Sequence, residues 1–552
     1  MGTLEEAILS SGFTAEEEAI LRRFFTNLDR PVFALVNMPE VVKGALFARY
    51  SRSPKSLRRL FLDEFVRDRA AGVEAIAEEI QIRSDSDASE ATERAEALYQ
   101  RIFTEYGDDS VAQLGGAHVA CEDVSNVLTK LVERGRLMSY LEQSTRYIRY
   151  DQKVGGRYRF YNPFPGGSGL DARFEAYGSR LFAAYSEMFG SVEAAVRDMY
   201  PNEHGDPTSV YEPAVRAKVC DVLRGLLPAA TQSSVGIFGS GQAYEGLVMR
   251  LLASGNEEAA AYAAMILEEL ERVIPSFLRR VRIPDRGGRW IEYMKNRDGS
   301  LRQAVEALPI SDLAPEPETG SGPFVSLTSF DSDGELRIAA AAIFVASSIG
   351  DARARMLAAG LSERELDDLF DALLGDRGNR RHRPGREFEA TVYRFEVLSD
   401  YGAFRDLQRH RMLTIEWQPL GVGHGFTIPD LVEECGLADE WCSLMGEAAE
   451  IYCDIPDSLA WSKPYVVPMA FRIRYVMELN AREAMHLIEL RTTPQGHEEY
   501  RRVCLEMHRL IAEVAGHRRV ARAMSFVGGE SSALERIEAE RRAAERRTAH
   551  PR

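Results

Sequence analysis

Two stretches decide how this chain folds: ERGRLMSYLEQS, residues 133–144, and QRHRMLTIEWQP, residues 408–419. Set one beneath the other, they share both arginines. Leu137-Met138 faces Met412-Leu413, Ser139 faces Thr414, and Gln143 faces Gln418. A second pair, GSGQAYEGLVMR (239–250) and NAREAMHLIELR (480–491), follows in the same order, each ending in Arg after a helical run. Between the copies lies LPISDLAPEPETGSGP (308–323), where Pro, Gly and acidic residues cluster as in a linker or long surface loop. Paired motifs in one order on both sides of a break mark a tandem duplication. The expected organisation is a first half over 1–300, a linker over 301–323, a second half over 324–530, and a charged tail over 531–552.

Composition narrows the class. The 552 residues are 45% hydrophobic and 28% charged, with formal net charge −17 and mean hydropathy −0.26, ordinary values for a globular protein. No apolar run approaches the roughly 20 residues that cross a bilayer. The acidic start, MGTLEEAILSSG, lacks the basic and apolar regions of a secretory signal. Glu6 also breaks the myristoylation pattern that begins with Met-Gly. A cytoplasmic protein with no membrane partner is expected. The acidity argues against nucleic acid as a main partner, while leaving local arginine clusters free to bind a small anion. Cys121, Cys220, Cys435, Cys442, Cys453 and Cys504 show no Cys-x-x-Cys spacing. They read as reduced, mostly buried thiols, and Cys435, Cys442 and Cys453 fit no common zinc pattern. No metal is expected.

Patterning predicts an α+β chain. The first 130 residues look helical, with Thr14 and Glu17 at capping-box spacing. Helical patterns return over 171–199 and 257–278. Strands are expected over 324–330 and 387–397, where Tyr393, Phe395 and Val397 alternate with Arg394 and Glu396. Helices are expected over 430–453 and 471–491, and a solvated or frayed helix over the last 20 residues.

Two segments carry chemistry. In 480–491, Ala481, Ala484, Met485 and Ile488 form an apolar stripe, and Arg482, His486 and Glu489 a polar one. Alone, this suits either a surface helix or a helix lining an anion site. In 136–151, Glu142, Gln143, Ser144, Thr145 and Arg146 mix acceptors and donors. That mixture suits a phosphate or a nucleobase edge, and equally a half-buried strand end.

Arg134-Gly-Arg136 followed by Glu142-Gln-Ser144-Thr-Arg146-Tyr147 resembles the signature of the flavin-dependent thymidylate synthases, the ThyX family: Arg-His-Arg, seven residues, then Ser. The second half keeps the triplet as Arg409, His410 and Arg411, and NAREAMHLIELR resembles the family's later Asn-x-Arg…Arg motif. The resemblance covers most of the chain, one copy of the mixed α/β fold in each half. It implies transfer of a methylene from methylenetetrahydrofolate to C5 of dUMP to give dTMP, with FAD as cofactor and NADPH as reductant. A related methylase of another pyrimidine nucleotide, or a non-catalytic descendant, is the alternative.

In the family, the triplet and the later helix come from one subunit. The Glu-x-Ser-x-Arg turn and an arginine before Leu-Pro come from its partner. Here the halves resemble complementary remnants. The first keeps Glu142, Ser144, Arg146 and Arg224, but has Gly135 for the histidine and Gly239 and Gly241 for the Asn and Arg, while Arg134 and Arg250 survive. The second keeps Arg409, His410, Arg411, Asn480, Arg482, His486 and Arg491, but has Pro419 for the serine and Pro464 for the partner arginine. The resemblance therefore implies an intramolecular pseudo-dimer with one complete composite site, and by analogy with the family tetramer a homodimer of pseudo-dimers. By the same resemblance Arg491 faces the pyrimidine edge as the catalytic cation. Arg409, Arg146 and Arg224 surround the phosphate, with Glu142, Gln143, Ser144, Thr145 and Asp406 beside the substrate. His410, Arg411, Asn480, Arg482, His486 and Ser110, with Arg409, hold FAD. Asp406 stands where the family has Gln, and Leu141 where it has Asn before the Glu.

Overall fold

In the computed structural model, the described residues are 13–29, 33–38, 40–50, 55–66, 113–164, 166–310, 313, 324–529, 534 and 536–549. The chain packs as two compact units. One comprises 1–121, 137–141 and 235–309; the other comprises 122–136, 142–234 and 310–552. The second unit thus draws segments from both sides of the Pro-rich break. The helix Arg289–Glu306 runs into the expected linker, and most of 311–323 lies outside the described residues.

Three strands, β1 (Gly116–Ser125), β2 (Met138–Glu142) and β3 (Gln232–Ser240), form a sheet in the order β1-β3-β2. Four more, β4 (Phe324–Phe330), β5 (Val392–Asp400), β6 (Thr414–Trp417) and β7 (Arg472–Asn480), form a sheet in the order β4-β5-β7-β6. Strands β5, β7 and β6 repeat the order of β1, β3 and β2. The β5–β7 pairing is antiparallel from Val392↔Asn480 to Asp400↔Arg472. It places Tyr393, Phe395 and Val397 in the core, each with no exposed surface.

The capping box at Thr14 forms, with Glu17 returning to the Thr14 amide at 2.9 Å. Five expected elements are corrected. The first 130 residues are not all helical, because 116–125 pairs into the three-stranded sheet. The helix expected over 257–278 ends at Val273 and restarts at Pro275, a residue without a backbone donor and suited to a helix start. Residues 386–390 form a 3₁₀ turn before β5, where Phe388 packs edge-on to Phe370 at 5.8 Å. The segment 471–491 is a strand followed by a helix. Ile473, Tyr475, Met477 and Leu479 are buried in alternation, a period of two beside the later helical period. Residues 430–453 form two helices around Gly436, whose φ is +68°. In the tail, the helix Ile537–Ala549 is tied by Arg541, which donates twice to Asp206 at 2.7 Å. Cys121, Cys220 and Cys504 are buried as expected, but Cys442 and Cys453 are exposed.

Within the second unit, the two copies meet through reciprocal hydrogen bonds. The Ala229 amide donates to the Val467 carbonyl and the Met469 amide to the Leu227 carbonyl, both at 2.9 Å, about the Pro228↔Pro468 bridge. The Ala470 amide donates to Gly225 at 2.9 Å and the Ala230 amide to Tyr465 at 3.3 Å. Each bond has its mirror between equivalent positions, the signature of an isologous, two-fold contact, here inside one chain. The same equivalence sets Ser125 against Asp400. Each accepts a hydrogen bond as the N-cap of a helix of seven residues, Asn126–Val132 and Tyr401–Leu407.

The offset that pairs Pro228 with Pro468 also pairs Ser240 with Asn480, the caps of the helices after β3 and β7. Leu251, not Arg250, therefore falls at the position of Arg491, and Ser240 and Gln242, not Gly239 and Gly241, at those of Asn480 and Arg482. The alignment of those two motifs by sequence was one residue out.

Candidate active site

Every described residue of the composite cluster lies in the second unit. Three elements meet there: the end of β2 with the turn after it, the helix Thr208–Leu223 with Arg224 beyond it, and the segment from Asp400 to Arg411. The helix Ala481–Arg491 closes the cluster with its last residue.

Glu142 is the negative centre. Its buried carboxylate accepts from Arg405 at 2.7 Å, from Lys130 at 3.3 Å, and from Arg409. Burial alone would push this acid up; Arg405, Lys130 and Arg409 outweigh it and hold the carboxyl well below its ordinary range. Arg405 and Lys130 occupy equivalent positions in the two copies, and the two-fold contact brings both to one carboxylate. Arg405 also donates to the buried Thr145 hydroxyl at 3.3 Å. The Ser144 hydroxyl accepts from the Arg146 amide at 3.2 Å. Gln143 spends its backbone on Ser234 and Ser233, at 2.8 and 3.1 Å.

Arg146 donates both arms to Asp221 at 2.6 Å, and also to the Tyr500 hydroxyl at 2.9 Å and the Gln495 carbonyl at 3.0 Å. Arg224, 3% exposed, reaches Asp406 at 3.3 Å, and its Nη2 has no hydrogen-bond partner. A Cβ at Gly402 would come within 3.1 Å of that guanidinium; the other copy has Val127 there. Arg491 donates through Nε to His410 Nε2 at 3.0 Å and through Nη2 to the Asp406 carbonyl, with its Nη1 3.7 Å from the Asp406 carboxylate. Burial would raise Asp406, but Arg224, Arg491, Arg409 and Arg146 hold its carboxyl far below the usual range.

Six cations (Lys130, Arg146, Arg224, Arg405, Arg409, Arg491) thus face four carboxylates (Glu133, Glu142, Asp221, Asp406). The surplus is two positive charges in a largely buried site, the complement of a phosphate monoester. At the pseudo-symmetric positions stand Leu131, Pro419, Gly421 and Pro464 in place of Asp406, Ser144, Arg146 and Arg224. Arg134, the counterpart of Arg409, faces Glu416 at 2.8 Å and the Trp417 ring at 5.1 Å. Among the described residues, this charge comes together in one of the two pseudo-symmetric orientations.

The residues expected at the cofactor divide. His410 and Arg411 line a cavity with Arg134 and Arg136. Asn480 caps its own helix, accepting from the Glu483 amide at 2.9 Å. Arg482 donates to the Pro384 carbonyl at 2.9 Å and lies 3.4 Å from Glu389. His486 faces Arg383, and its ring is 5.3 Å from that of His410. Ser110 lies outside the described residues. Glu489, placed by its spacing on a polar stripe, is buried and takes both arms of Arg377, at 2.8 and 2.7 Å.

His410, Glu483 and His486 are the one group of metal-capable side chains among the described residues. Arginine can only donate, so the Arg491 contact fixes the lone pair of His410 on Nε2 and its proton on Nδ1. That proton points to Glu483 Oε1 at 3.1 Å, where a metal would need a lone pair. Burial, Arg491 and Arg383 all depress His410, which stays neutral. The geometry is that of a hydrogen-bonded relay and not of a ligand set.

Sequence reasoning missed Lys130, Asp221, Arg405, Glu483 and Tyr500. Only Lys130 and Arg405 carried a signal, as aligned cations in the two copies.

The chain matches the family model described as thymidylate synthase complementing protein over residues 66–276 and again over 326–516. It is 36% identical over 504 residues to a UPF0159 protein of Chlamydia pneumoniae, covering 91% of this chain and 93% of that protein. A UPF0159 protein of Chlamydia muridarum is 36% identical over 532 residues, covering 96% and 98%. One from Thermoplasma acidophilum is 32% identical over 527 residues, covering 90% and 97%. Among solved structures, a UMP/dUMP methylase PolB from Streptomyces cacaoi, bound with 5-Br dUMP, is 20% identical with a TM-score of 0.32, covering 38% of this chain and 98% of that chain.

Proposed function

The chain belongs to the thymidylate synthase complementing protein family, in two tandem copies, and from that premise we propose that it is a flavin-dependent methylase of a uridine nucleotide, with dUMP converted to dTMP at the expense of methylenetetrahydrofolate and NADPH. The observation that carries this reading is the composite cluster with its surplus of two positive charges. Arg146, Arg224 and Arg409 hold the phosphate, for which guanidinium forks are well shaped. Arg491, oriented by His410 and the Asp406 carbonyl, places a fixed cation at the pyrimidine edge, where it stabilises the charge that develops on the ring.

FAD fits the cavity beside His410 in one respect: Arg134, Arg136 and Arg411 line it and suit a diphosphate. Asn480 and Arg482 are engaged in the protein's own structure and would have to exchange partners. When bound, the flavin supplies the redox chemistry; the chain's residues bind and orient. Asp406 in place of the family's Gln favours a second reading, a methylase of a different pyrimidine nucleotide. A cytoplasmic, two-chain assembly accompanies either reading.

Purified protein mixed with FAD tests the reading first: flavin absorbance that co-elutes supports it, and its absence counts against both enzyme readings. NADPH oxidation with dTMP formation from dUMP distinguishes the first reading from the second. Arg491→Ala is expected to abolish turnover; a variant that keeps wild-type turnover would overturn the composite site built on Arg491.

A further inference from the structure

The chain continues past residue 516, where the second match to the family model ends, and this extension runs from the second copy onto the first. The Phe526 amide donates to Glu489 at 3.3 Å and the Gly528 amide to the Thr492 hydroxyl at 3.0 Å. A Cβ at Gly528 would run into the Thr492 carbonyl oxygen, so glycine lets the backbone seat this closely on the end of the helix Ala481–Arg491. Arg501 then donates to the Gly529 carbonyl at 2.6 Å, and Leu534 is buried in the core that both copies share.

Past Leu534 the extension meets the first copy. The Arg536 guanidinium lies 3.9 Å from the centre of the Tyr147 ring, and its Nε donates to the buried Glu540 carboxylate at 2.7 Å. Arg541 adds the tie to Asp206. Tyr147 follows Arg146 in the turn that carries Ser144, and the same ring lies 5.7 Å from the Arg146 guanidinium. The turn is tight: the Tyr147 and Ile148 amides both donate to the Ser144 carbonyl at 3.3 Å. One aromatic ring thus joins a cation of the composite cluster to a cation of the extension, each drawn to it by the ring quadrupole. The other orientation has no such joint. By the alignment that pairs Arg134 with Arg409, Val422 stands at the position of Tyr147. The helix Arg289–Glu306, which follows the first copy, buries none of its residues.

We propose that Arg536 is a positioning residue of the composite site: through Tyr147 it holds the Ser144–Tyr147 turn, and with it Arg146, in place to take the substrate's phosphate. Asp221, Tyr500 and the Gln495 carbonyl fix the Arg146 guanidinium itself. Arg536 fixes the backbone turn from which that side chain springs. The proposal rests on the phosphate role given to Arg146 in the proposed function.

Calorimetric titration of the full chain with dUMP and, separately, with inorganic phosphate tests it. Arg536→Ala is expected to weaken both roughly three-fold, the size of one partly exposed cation–π contact. Arg536→Lys keeps a cation over the ring and should restore most of the affinity. Tyr147→Leu should lose at least as much as Arg536→Ala. The double variant should lose no more than Tyr147→Leu alone, because the two side chains act as one unit. Arg541→Ala separates positioning from docking: it frees the helix Ile537–Ala549 at Asp206, should lower the melting temperature, and should leave both affinities at the wild-type value. Unaltered affinity in Arg536→Ala, additive losses in the double variant, or equal losses in Arg541→Ala and Arg536→Ala would overturn the proposal alone. Wild-type protein that binds neither dUMP nor phosphate would overturn the reading of the site together with the proposal, which keeps the two failures distinct.

Discussion

Tyr500 stands between two arginines of the composite cluster. Its hydroxyl accepts from Arg146, and its ring lies 5.4 Å from the Arg491 guanidinium. Tyr500→Phe removes only the hydroxyl, and Arg146 keeps both arms on Asp221. We predict about a five-fold loss of dUMP affinity, the order of an ordinary hydrogen bond's net contribution of about 1 kcal/mol, with an unchanged melting temperature. Calorimetric affinities unaltered by the substitution would show that the phenol does not position Arg146. Asp406→Asn should act oppositely. Deleting one carboxylate raises the charge surplus, so inorganic phosphate should bind several-fold more tightly at low salt and less distinctly so at high salt. Equal phosphate affinities in the two proteins would refute that account of Asp406.

The helix Tyr401–Leu407 does its work by a missing side chain. Gly402 admits the Arg224 guanidinium, and Asp400 caps the helix through the Ala403 amide. Gly402→Val, which copies Val127 of the other half, drives a side chain into that guanidinium. A loss of about 1–3 kcal/mol is expected from overpacking, read by urea denaturation, together with weakened anion binding. A variant as stable as wild type would mean that Arg224 moves aside freely. Periodicity could find the apolar stripe Ala481–Ile488, all of it buried, because burial writes itself into spacing. The strand 472–480 also alternates, Ile473, Tyr475, Met477 and Leu479 against Arg472, Arg474, Glu478 and Asn480, but Val476 on the polar face and the helical period that follows directly hide its boundary.

The stability of the molecule should peak on the acid side of neutrality. Burial raises Asp400 to about 6 and Glu499 to about 8. Their folded-state pKa values exceed the unfolded ones, so the stability they contribute is complete below about pH 4 and lost as pH rises through 6 and then 8. Burial, with Arg224 close by, depresses His497 to about 3; burial again, with neighbouring cations, depresses His486 to about 4, and His410 falls as well. These rings stay neutral in the fold, so stability is lost as pH falls below about 6.5. Thermal melts from pH 5 to 8.5 should show a maximum between about 5 and 6.5, and Glu499→Gln should flatten the alkaline limb. A maximum above pH 7.5 would contradict this balance.

The duplication, the residues each copy kept and the acidic surface were all legible before any coordinates, because a repeat is a property of order and charge is a property of composition. Arg409, Glu142, Arg146, Arg224 and Arg491 could be singled out one by one. What the linear order could not contain is that Lys130 and Arg405, equivalent residues 275 positions apart in the numbering, converge on one carboxylate, or that Asp221 and Tyr500 hold Arg146 in place. Those partners come from the two-fold contact at Pro228 and Pro468. A contact between distant segments leaves no mark on the spacing of either one, so the charge balance of the site is set by packing and could be read only from the folded chain.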